Sequence, residues 1–379
     1  MKILFAGGGS GGHFFPIIAI ARELRKIADD EGIVKVEMIL YSAALSEIEL
    51  VLLSREDIRY RWVPAGKIRN YFSLLNFSDS FKTLAGIFKA IWSIFLDIPD
   101  VVFSKGGYAS FPAVLASRLL SIPVVIHESD TVPGKVNKWA AGFARRIALS
   151  FSESAKYFPE GDNVALTGHP IQKSLLHGDK DAAYNIFGFT KELPVIFITG
   201  GSQGAEKIND VFLDIAARIL EFAQVIHQTG TRNIDGVKKR ATVVLDGSPF
   251  ASRYKPYGFL NEADMRDALA ITTIAVSRPG AGSIFSFAAC QIPAILIPIS
   301  ESAQDHQRSN AYSYARTGAA HVLEEQNLTG HLLVAEIRRL LENQDKLQNM
   351  RESALEFARP DAAQKIAREI INLALEHTQ

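Results

Sequence analysis

The chain reads as α/β, with two domains that each wrap a parallel sheet in helices, and three observations predict this. A β-rich run at Lys2–Ala6 leads into the glycine turn Gly7-Gly8-Gly9-Ser10-Gly11-Gly12 and then a helical pattern. The same succession restarts at Val195–Thr199, with Gly200-Gly201-Ser202-Gln203-Gly204 and a helical stretch over 205–220. In addition, 379 residues exceed the size at which one hydrophobic core usually stops growing. Strand, glycine turn and helix in that order open a Rossmann-like domain, so two such openings predict two Rossmann-like domains.

In the first domain, assigned to 1–165, Ile17, Ile20, Ala21 and Leu24 recur at helical spacing after the turn. Further strands are expected at 35–41, Val101–Ser104, Val124–Glu128 and 146–150. Helical stretches separate them, the alternation that a parallel sheet requires. A linker is expected within 168–181. The second domain, 166–359, has strand candidates at Gln224–Gln228, 242–245, Ile274–Ser277, 294–297 and 320–323. A helical tail over 360–377 can pack on either domain, the first included.

Composition narrows the function classes. The 41 basic and 41 acidic residues cancel, which removes the global field expected of a nucleic-acid binder, so any bound anion must be met locally. Cys290 is the one cysteine, which excludes a disulfide framework and a Cys-rich metal site; a core thiol in a reducing cytoplasm is expected. The apolar run from Ile3 to Ala6 is too short for a secretory signal, and nowhere do about 18 uncharged apolar residues run together, as a spanning helix needs.

Gly7-x-Gly9-x-x-Gly12 matches the dinucleotide fingerprint, in which glycines let a diphosphate approach a helix N-terminus. The fingerprint also wants an acidic residue at the end of the second strand, and here that strand ends Ile39-Leu40-Tyr41-Ser42. His13 should stand at the start of the first helix, at the carboxyl end of the sheet. A helix N-terminus disfavours the imidazolium, which leaves an imidazole able to take a proton from a hydroxyl; a capping role without chemistry is the alternative. Asp179-Lys180-Asp181 imitates a metal-binding Asp-x-Asp, but it precedes a helical stretch, where carboxylates favour the N-terminus.

Gly7 to Pro16, Gly-Gly-Gly-Ser-Gly-Gly-His-Phe-Phe-Pro, resembles the first glycine loop of the MurG family. Further landmarks follow in the family's order. Lys105-Gly106-Gly107-Tyr108 and His127-Glu128-Ser129-Asp130 resemble its acceptor-side loops, and Thr167-Gly168-His169-Pro170 its domain junction. The second glycine turn with Asn209, His227 to Gly230, Ser277 to Ser283 and Asp305-His306-Gln307 with Asn310 resemble its donor domain. The resemblance implies GT-B architecture: two Rossmann-like domains with parallel sheets facing a deep cleft, acceptor on the first, UDP-sugar on the second. It implies transfer of N-acetylglucosamine from UDP-GlcNAc to the 4-hydroxyl of N-acetylmuramic acid in lipid I, giving lipid II with inversion, and no metal or cofactor.

By the same resemblance His13 is the base. Ser10, Gly11, Gly12, Tyr108, His127 and Glu128 meet the acceptor or its diphosphate. Ser202, Gln203, Leu260, Gly282, Ser283, Ser286, His306, Gln307, Gln172 and Asp130 meet the donor. For His127 a buried structural role stays open, as it does for Gln307. The sequence departs from the family at Ser286, where a ribose-binding glutamate is usual, and at Gln172, where many members carry arginine; Asp130 is a familiar variant of asparagine. Two alternatives therefore stay open: a transferase with another donor or acceptor, and a homologue that binds nucleotide or glycan without turning it over.

Between Ala65 and Leu96, Leu84, Ile87, Phe88, Ile91, Trp92 and Phe95 recur at helical spacing, and Lys67, Arg69, Lys82 and Lys89 outnumber Asp79. An apolar stripe beside basic residues suits an anionic membrane surface. Phe72, Leu75 and Phe77 are the expected contacts, with the 84–95 stripe at least partly core. Peripheral attachment on the cytoplasmic side follows from a polyprenyl acceptor; other cell-wall enzymes are candidate partners and nucleic acid is not.

Overall fold

The computed structural model describes residues 1–8, 11–33, 35–66, 74–299 and 305–377. The chain divides into two compact units, one of Met1–Gln172 with Arg359–Gln379, the other of Lys173–Ala358.

The first unit opens with β1 (Lys2–Ala6), α1 (Gly11–Asp30), β2 (Glu37–Ser42), α2 (Glu47–Arg55), β3 (Ile58–Trp62) and α3 (Leu74–Asp97). It continues with β4 (Val101–Ser104), α4 (Phe111–Leu119), β5 (Val124–Glu128), α5 (Lys135–Ala140), β6 (Arg146–Leu149) and β7 (Val164–Leu166). The strands form one parallel sheet in the order β3-β2-β1-β4-β5-β6-β7. Successive strand residues face opposite sides, so both faces are covered. Ile3 and Phe5 join α1, while Leu4 and Ala6 join Ala90 and Ile94 of α3 and Ala113 and Val114 of α4.

The second unit contains α6 (Lys180–Phe187), β8 (Val195–Thr199), α7 (Glu206–Leu220), β9 (Gln224–Gln228), α8 (Ile234–Val244), β10 (Tyr254–Tyr257) and α9 (Glu262–Ile271). After these come β11 (Ile274–Ser277), α10 (Ala281–Ala289), β12 (Ala294–Leu296), α11 (His306–Ala315), β13 (Ala320–Val322), α12 (Gly330–Leu341) and α13 (Gln344–Phe357). Its parallel sheet runs β10-β9-β8-β11-β12-β13, the same winding as the first. In each sheet the order reverses beside the first strand, between β1 and β4 and between β8 and β11. Open α/β sheets leave a ligand crevice at the carboxyl ends of strands at such points.

The last helix, α14 (Ala362–His377), returns to the first unit and lies against α1. Ala363, Ile366, Ala367, Ile370, Ile371 and Ala374 join the same core as Ile17, Ile20 and Leu24. Arg146 Nε, at the start of β6, donates to Glu369 Oε1 at 2.5 Å.

One expectation is corrected. Residues 242–245 are not a strand: the β-branched run Thr242-Val243-Val244 closes α8. Val237, Ala241 and Leu245 recur every four residues and are buried, whereas Val243 is 77% exposed, so helical spacing decides the element. The 84–95 stripe is core only in part, the smaller part. Leu84, Phe88, Trp92 and Phe95 point to solvent, Ile87 and Ile91 are half-buried, and α3 packs inward through Gly86, Ala90, Ser93 and Ile94. Small residues let α3 lie close: a Cβ on Gly86 would run into the Pro64 carbonyl. Cys290 is half-buried, with its thiol pushed up to about 12 by burial.

Candidate active site

In the first unit the crevice is built from the residues that follow β1, β4 and β5. Gly8 has φ +126° and abuts Ser42 at the end of β2, so a side chain there would collide with it. His13 is the third residue of α1 and half-buried. Gly107, at φ +76°, lies against its ring; a Cβ there would stand 3.0 Å from His13 Cε1. Gly11 and Gly12 are the first residues of α1, where N–H groups lack helical acceptors. Ser10 lies outside the described residues. Tyr108, in a short 3-10 turn, is partly exposed.

Lys105 directly follows β4 and is 2% exposed. Its ammonium donates to Ser129 Oγ. Burial pulls its pKa down to about 8, against the opposing pull of the Glu128 and Asp130 carboxylates. His127 and His169, buried with rings 5.7 Å apart, are pushed well below the usual histidine range by burial first and by the Lys105 charge second. His127 Nε2 stands 3.1 Å from Gly168 O and 3.2 Å from Ser150 Oγ. A carbonyl only accepts, so Nε2 carries the proton and Nδ1 keeps a bare lone pair, unpartnered among the described residues.

Glu128 acts as a loop anchor. Its carboxylate accepts from Asp130 N at 3.0 Å, Gly134 N at 3.1 Å and Asn137 Nδ2 at 2.9 Å. Asn137 Nδ2 also donates to His127 O at 3.0 Å, tying α5 to the end of β5. Burial, followed by the Asp130 charge, raises the Glu128 pKa despite these donors.

In the second unit, Gly201 N donates to Thr199 Oγ1 at 2.9 Å and Gly204 N to Gly201 O at 3.1 Å, which curls the second glycine turn. Gln228, at the end of β9, donates to Thr199 Oγ1 and Gly201 O, both at 3.2 Å, and its Oε1 accepts from Leu260 N at 3.1 Å. One buried amide thus joins the turn to the Leu260 backbone. Tyr254 OH lies 2.8 Å from His227 Nδ1, and His227 Nε2 lies 3.0 Å from Asn209 Oδ1. Asn209 Nδ2 donates to Thr229 O, so Oδ1 accepts and the chain runs Tyr254, His227, Asn209, Thr229. Burial alone takes the His227 pKa to about 3.

Ser202 is half-buried and Gln203 exposed. The helix α10 is entered through Gly280 with no side-chain cap, so the N–H groups at its start remain for an anion. Gly282, Ser283 and Ser286 share one face of it by their spacing. His306 and Gln307 open α11, and Gln307 Oε1 accepts from Ile299 N at 3.3 Å, which leaves its amide nitrogen to donate. Asp179 is an N-cap, its carboxylate accepting from Asp181 N at 2.9 Å and Ala182 N at 3.1 Å. A surface cavity of about 400 Å³ lined by Tyr312, His321, Glu336, Arg339 and Lys346 includes none of the residues expected on the donor side.

Comparison with known proteins decides the family. The Glycosyltransferase family 28 N-terminal domain matches residues 3–149 and the Glycosyltransferase family 28 C-terminal domain residues 195–366. A Bacillus anthracis protein, UDP-N-acetylglucosamine--N-acetylmuramyl-(pentapeptide) pyrophosphoryl-undecaprenol N-acetylglucosamine transferase 2, is 37% identical over 91% of this chain and 92% of its own. A transferase of the same name from Clostridium botulinum (strain Loch Maree / Type A3) is 35% identical over 94% of this chain and 95% of its own. The crystal structure of Acinetobacter baumannii MurG superposes with a TM-score of 0.72, covering 98% of this chain and 99% of that one at 24% identity. The chain belongs to the MurG family. Its two parallel-sheet units are the paired Rossmann-like domains of the GT-B fold.

Within this MurG-family chain, the expected residues divide between the units. His13, Tyr108, His127, Glu128, Asp130 and Gln172 belong to the first, and Ser202, Gln203, Leu260, Gly282, Ser283, Ser286, His306 and Gln307 to the second. Gln172 is buried at the end of its unit. Leu260 is buried too, and its N–H is already bonded to Gln228. Sequence reading gave no individual role to Lys105 or Arg278. Each is the first residue after the strand across the reversal point, β4 or β11, and a cation directly before a glycine- or proline-containing turn is the signal they left.

Proposed function

We propose that the chain transfers N-acetylglucosamine from UDP-GlcNAc to the 4-hydroxyl of N-acetylmuramic acid in lipid I, the step that forms lipid II. The observation that carries this is identity of 35% and 37% over more than nine-tenths of relatives named as UDP-N-acetylglucosamine--N-acetylmuramyl-(pentapeptide) pyrophosphoryl-undecaprenol N-acetylglucosamine transferases.

The first unit takes the acceptor and the second the donor. The glycine turn after β8 with Ser202, and the N–H groups of Gly282 and Ser283, hold the diphosphate, where helix polarity favours negative charge. His306 and Gln307 meet sugar hydroxyls, and the Leu260 carbonyl meets the uracil. Ser286 meets the ribose with one hydroxyl rather than a carboxylate, and forgoing a charge-assisted bond costs about 1.5 to 3 kcal/mol of affinity. On the acceptor side, Gly11 and Gly12 offer N–H groups, and Tyr108, His127 and Glu128 line the crevice or hold its loops.

The displacement balances simply. His13 takes the proton of the 4-hydroxyl as its oxygen bonds to the anomeric carbon. The bond from that carbon to the diphosphate oxygen breaks, and its electron pair leaves with UDP, whose charge the α10 N-terminus stabilises.

Access to a lipid acceptor is assigned to α3. Phe77, Phe81, Leu84, Phe88, Trp92 and Phe95 are exposed along one side of it over about 27 Å. Lys82 and Lys89 flank them, with Lys89 Nζ 4.4 Å from the Trp62 ring centre. Such a face suits a peripheral position on an anionic bilayer. Of the residues expected to make contact, Phe77 is 72% exposed, Phe72 lies outside the described residues, and Leu75 is on α3 with its side chain undescribed.

Calorimetric titration with UDP-GlcNAc, UDP, UDP-glucose and NADH, followed by a lipid I transfer assay, tests the reading. Saturable UDP-GlcNAc binding abolished by Ser202→Asp, with turnover lost in His13→Ala, is expected. Preference for another nucleotide sugar would mean a changed donor, and silence toward every UDP compound would sink the assignment.

A further inference from the structure

Arg278 stands at the reversal point of the second sheet, just before the turn that opens α10. A cation there invites assignment as a phosphate ligand, but its bonds run the other way. Its N–H donates to Thr199 O at 3.3 Å, at the end of β8, and its Nη1 to Ile297 O at 2.9 Å, after β12. Its Nη2 pairs with Glu325 in the turn after β13; the two side chains are 11% and 16% exposed. The neighbouring Glu324 accepts from Arg308 Nε at 2.9 Å and from Tyr312 OH at 2.7 Å, both on α11. Asn310 of α11 donates to Pro279 O at 3.4 Å. One dipeptide therefore grips the root of α10 with one carboxylate and α11 with the other. α11 is entered through Asp305 at φ +53°, in the left-handed region that aspartate adopts more readily than most residues with a side chain.

We propose that Glu324 and Glu325, with Arg278, are positioning residues that set the N-termini of α10 and α11 in register for the two ends of a nucleoside-diphosphate sugar. The proposal rests on the donor assignment above, with the diphosphate on α10 and the sugar on His306 and Gln307. Arg278 serves as a strut and is not a phosphate ligand. A lysine replaces it poorly, because Arg278 reaches Ile297 O and Glu325 through two separate nitrogens of a planar fork, which a single ammonium nitrogen does not reproduce.

The test uses the full chain and the variants Glu325→Gln, Arg278→Lys, Glu324→Gln and the double variant of the first two. UDP and UDP-GlcNAc are titrated well below each melting temperature, and donor KM, acceptor KM and kcat are measured. Glu325→Gln and Arg278→Lys are expected to weaken UDP-GlcNAc about tenfold and raise donor KM to match, with kcat at saturating donor and acceptor KM within about twofold. The double variant should be no worse than either single. Glu324→Gln, which loosens α11 alone, should weaken UDP-GlcNAc more than UDP, and it decides the matter if the Glu325 variant does not fold. A phosphate-binding Arg278 would behave oppositely: Glu325→Gln would free the guanidinium and leave UDP binding equal or tighter, while Arg278→Lys alone weakened it. That pattern, or variants that bind like the parent, overturns the proposal. A parent chain that binds no UDP compound instead overturns the donor assignment beneath it.

Discussion

Lys105 has a measurable consequence for stability. Its ammonium is buried beside a serine hydroxyl, and its pKa falls from 10.5 to about 8. Between those values the unfolded chain holds the proton and the folded chain does not, so stability rises with pH across the window. The cost of burying the charge is fully present below pH 8 and is on the order of 3 kcal/mol. Urea unfolding of the parent and of Lys105→Met should therefore differ in slope: the parent gains stability from pH 8 to 10 and the variant does not. His227 works at the other end of the scale. Folded near 3 against 6.5 for an ordinary histidine, it contributes stability that is complete above pH 6.5 and is lost as pH falls toward 3, by about 5 kcal/mol at most. His227→Gln should lose less stability than the parent between pH 7 and pH 4 in the same measurement. Neither role could be read from the sequence. The glycine turns are contiguous and announce themselves, whereas Lys105 with Ser129, Gln228 with Leu260 and Arg278 with Glu325 meet only when strands far apart in the chain align.

At the scale of elements, the central strands were legible because burial on both faces makes them unbroken apolar runs, as in Val195–Thr199. The strands without a sequence signal, β3, β7 and β10, are all sheet edges. Ile58–Trp62 alternates arginines with its apolar residues, and Tyr254–Tyr257 contains Pro256, tolerated because an edge strand need not donate on its open side. The stripe on α3 has the spacing of a core helix as well as of an interfacial one, and only its exposure separates the two: most of it faces solvent. Each ring on that stripe is worth roughly 1.5 to 3 kcal/mol if fully withdrawn from water. Phe88→Glu with Trp92→Glu is expected to abolish flotation with phosphatidylglycerol vesicles and leave the melting temperature within a few degrees, since neither side chain supports the core. Flotation equal to the parent would remove α3 from the membrane assignment.

At the scale of the molecule, each unit has its own core, and α14 supplies a large share of the first. A fragment of residues 173–358 should therefore unfold cooperatively by itself and bind UDP, whereas residues 1–172 alone should not show a cooperative transition by calorimetry. Adding a peptide of residues 359–377 should restore one; failure to do so would mean that the first unit needs more than its last helix. That arrangement also bears on synthesis. The ribosome completes the whole second unit before it makes the helix that closes the first, so the nascent first unit must wait with the α1 groove bare while the later half folds ahead of it. Vectorial synthesis usually lets the earlier domain settle first. Here the order of emergence and the order of completion are reversed, and the waiting surface is where a chaperone would be needed and where a stalled chain would aggregate.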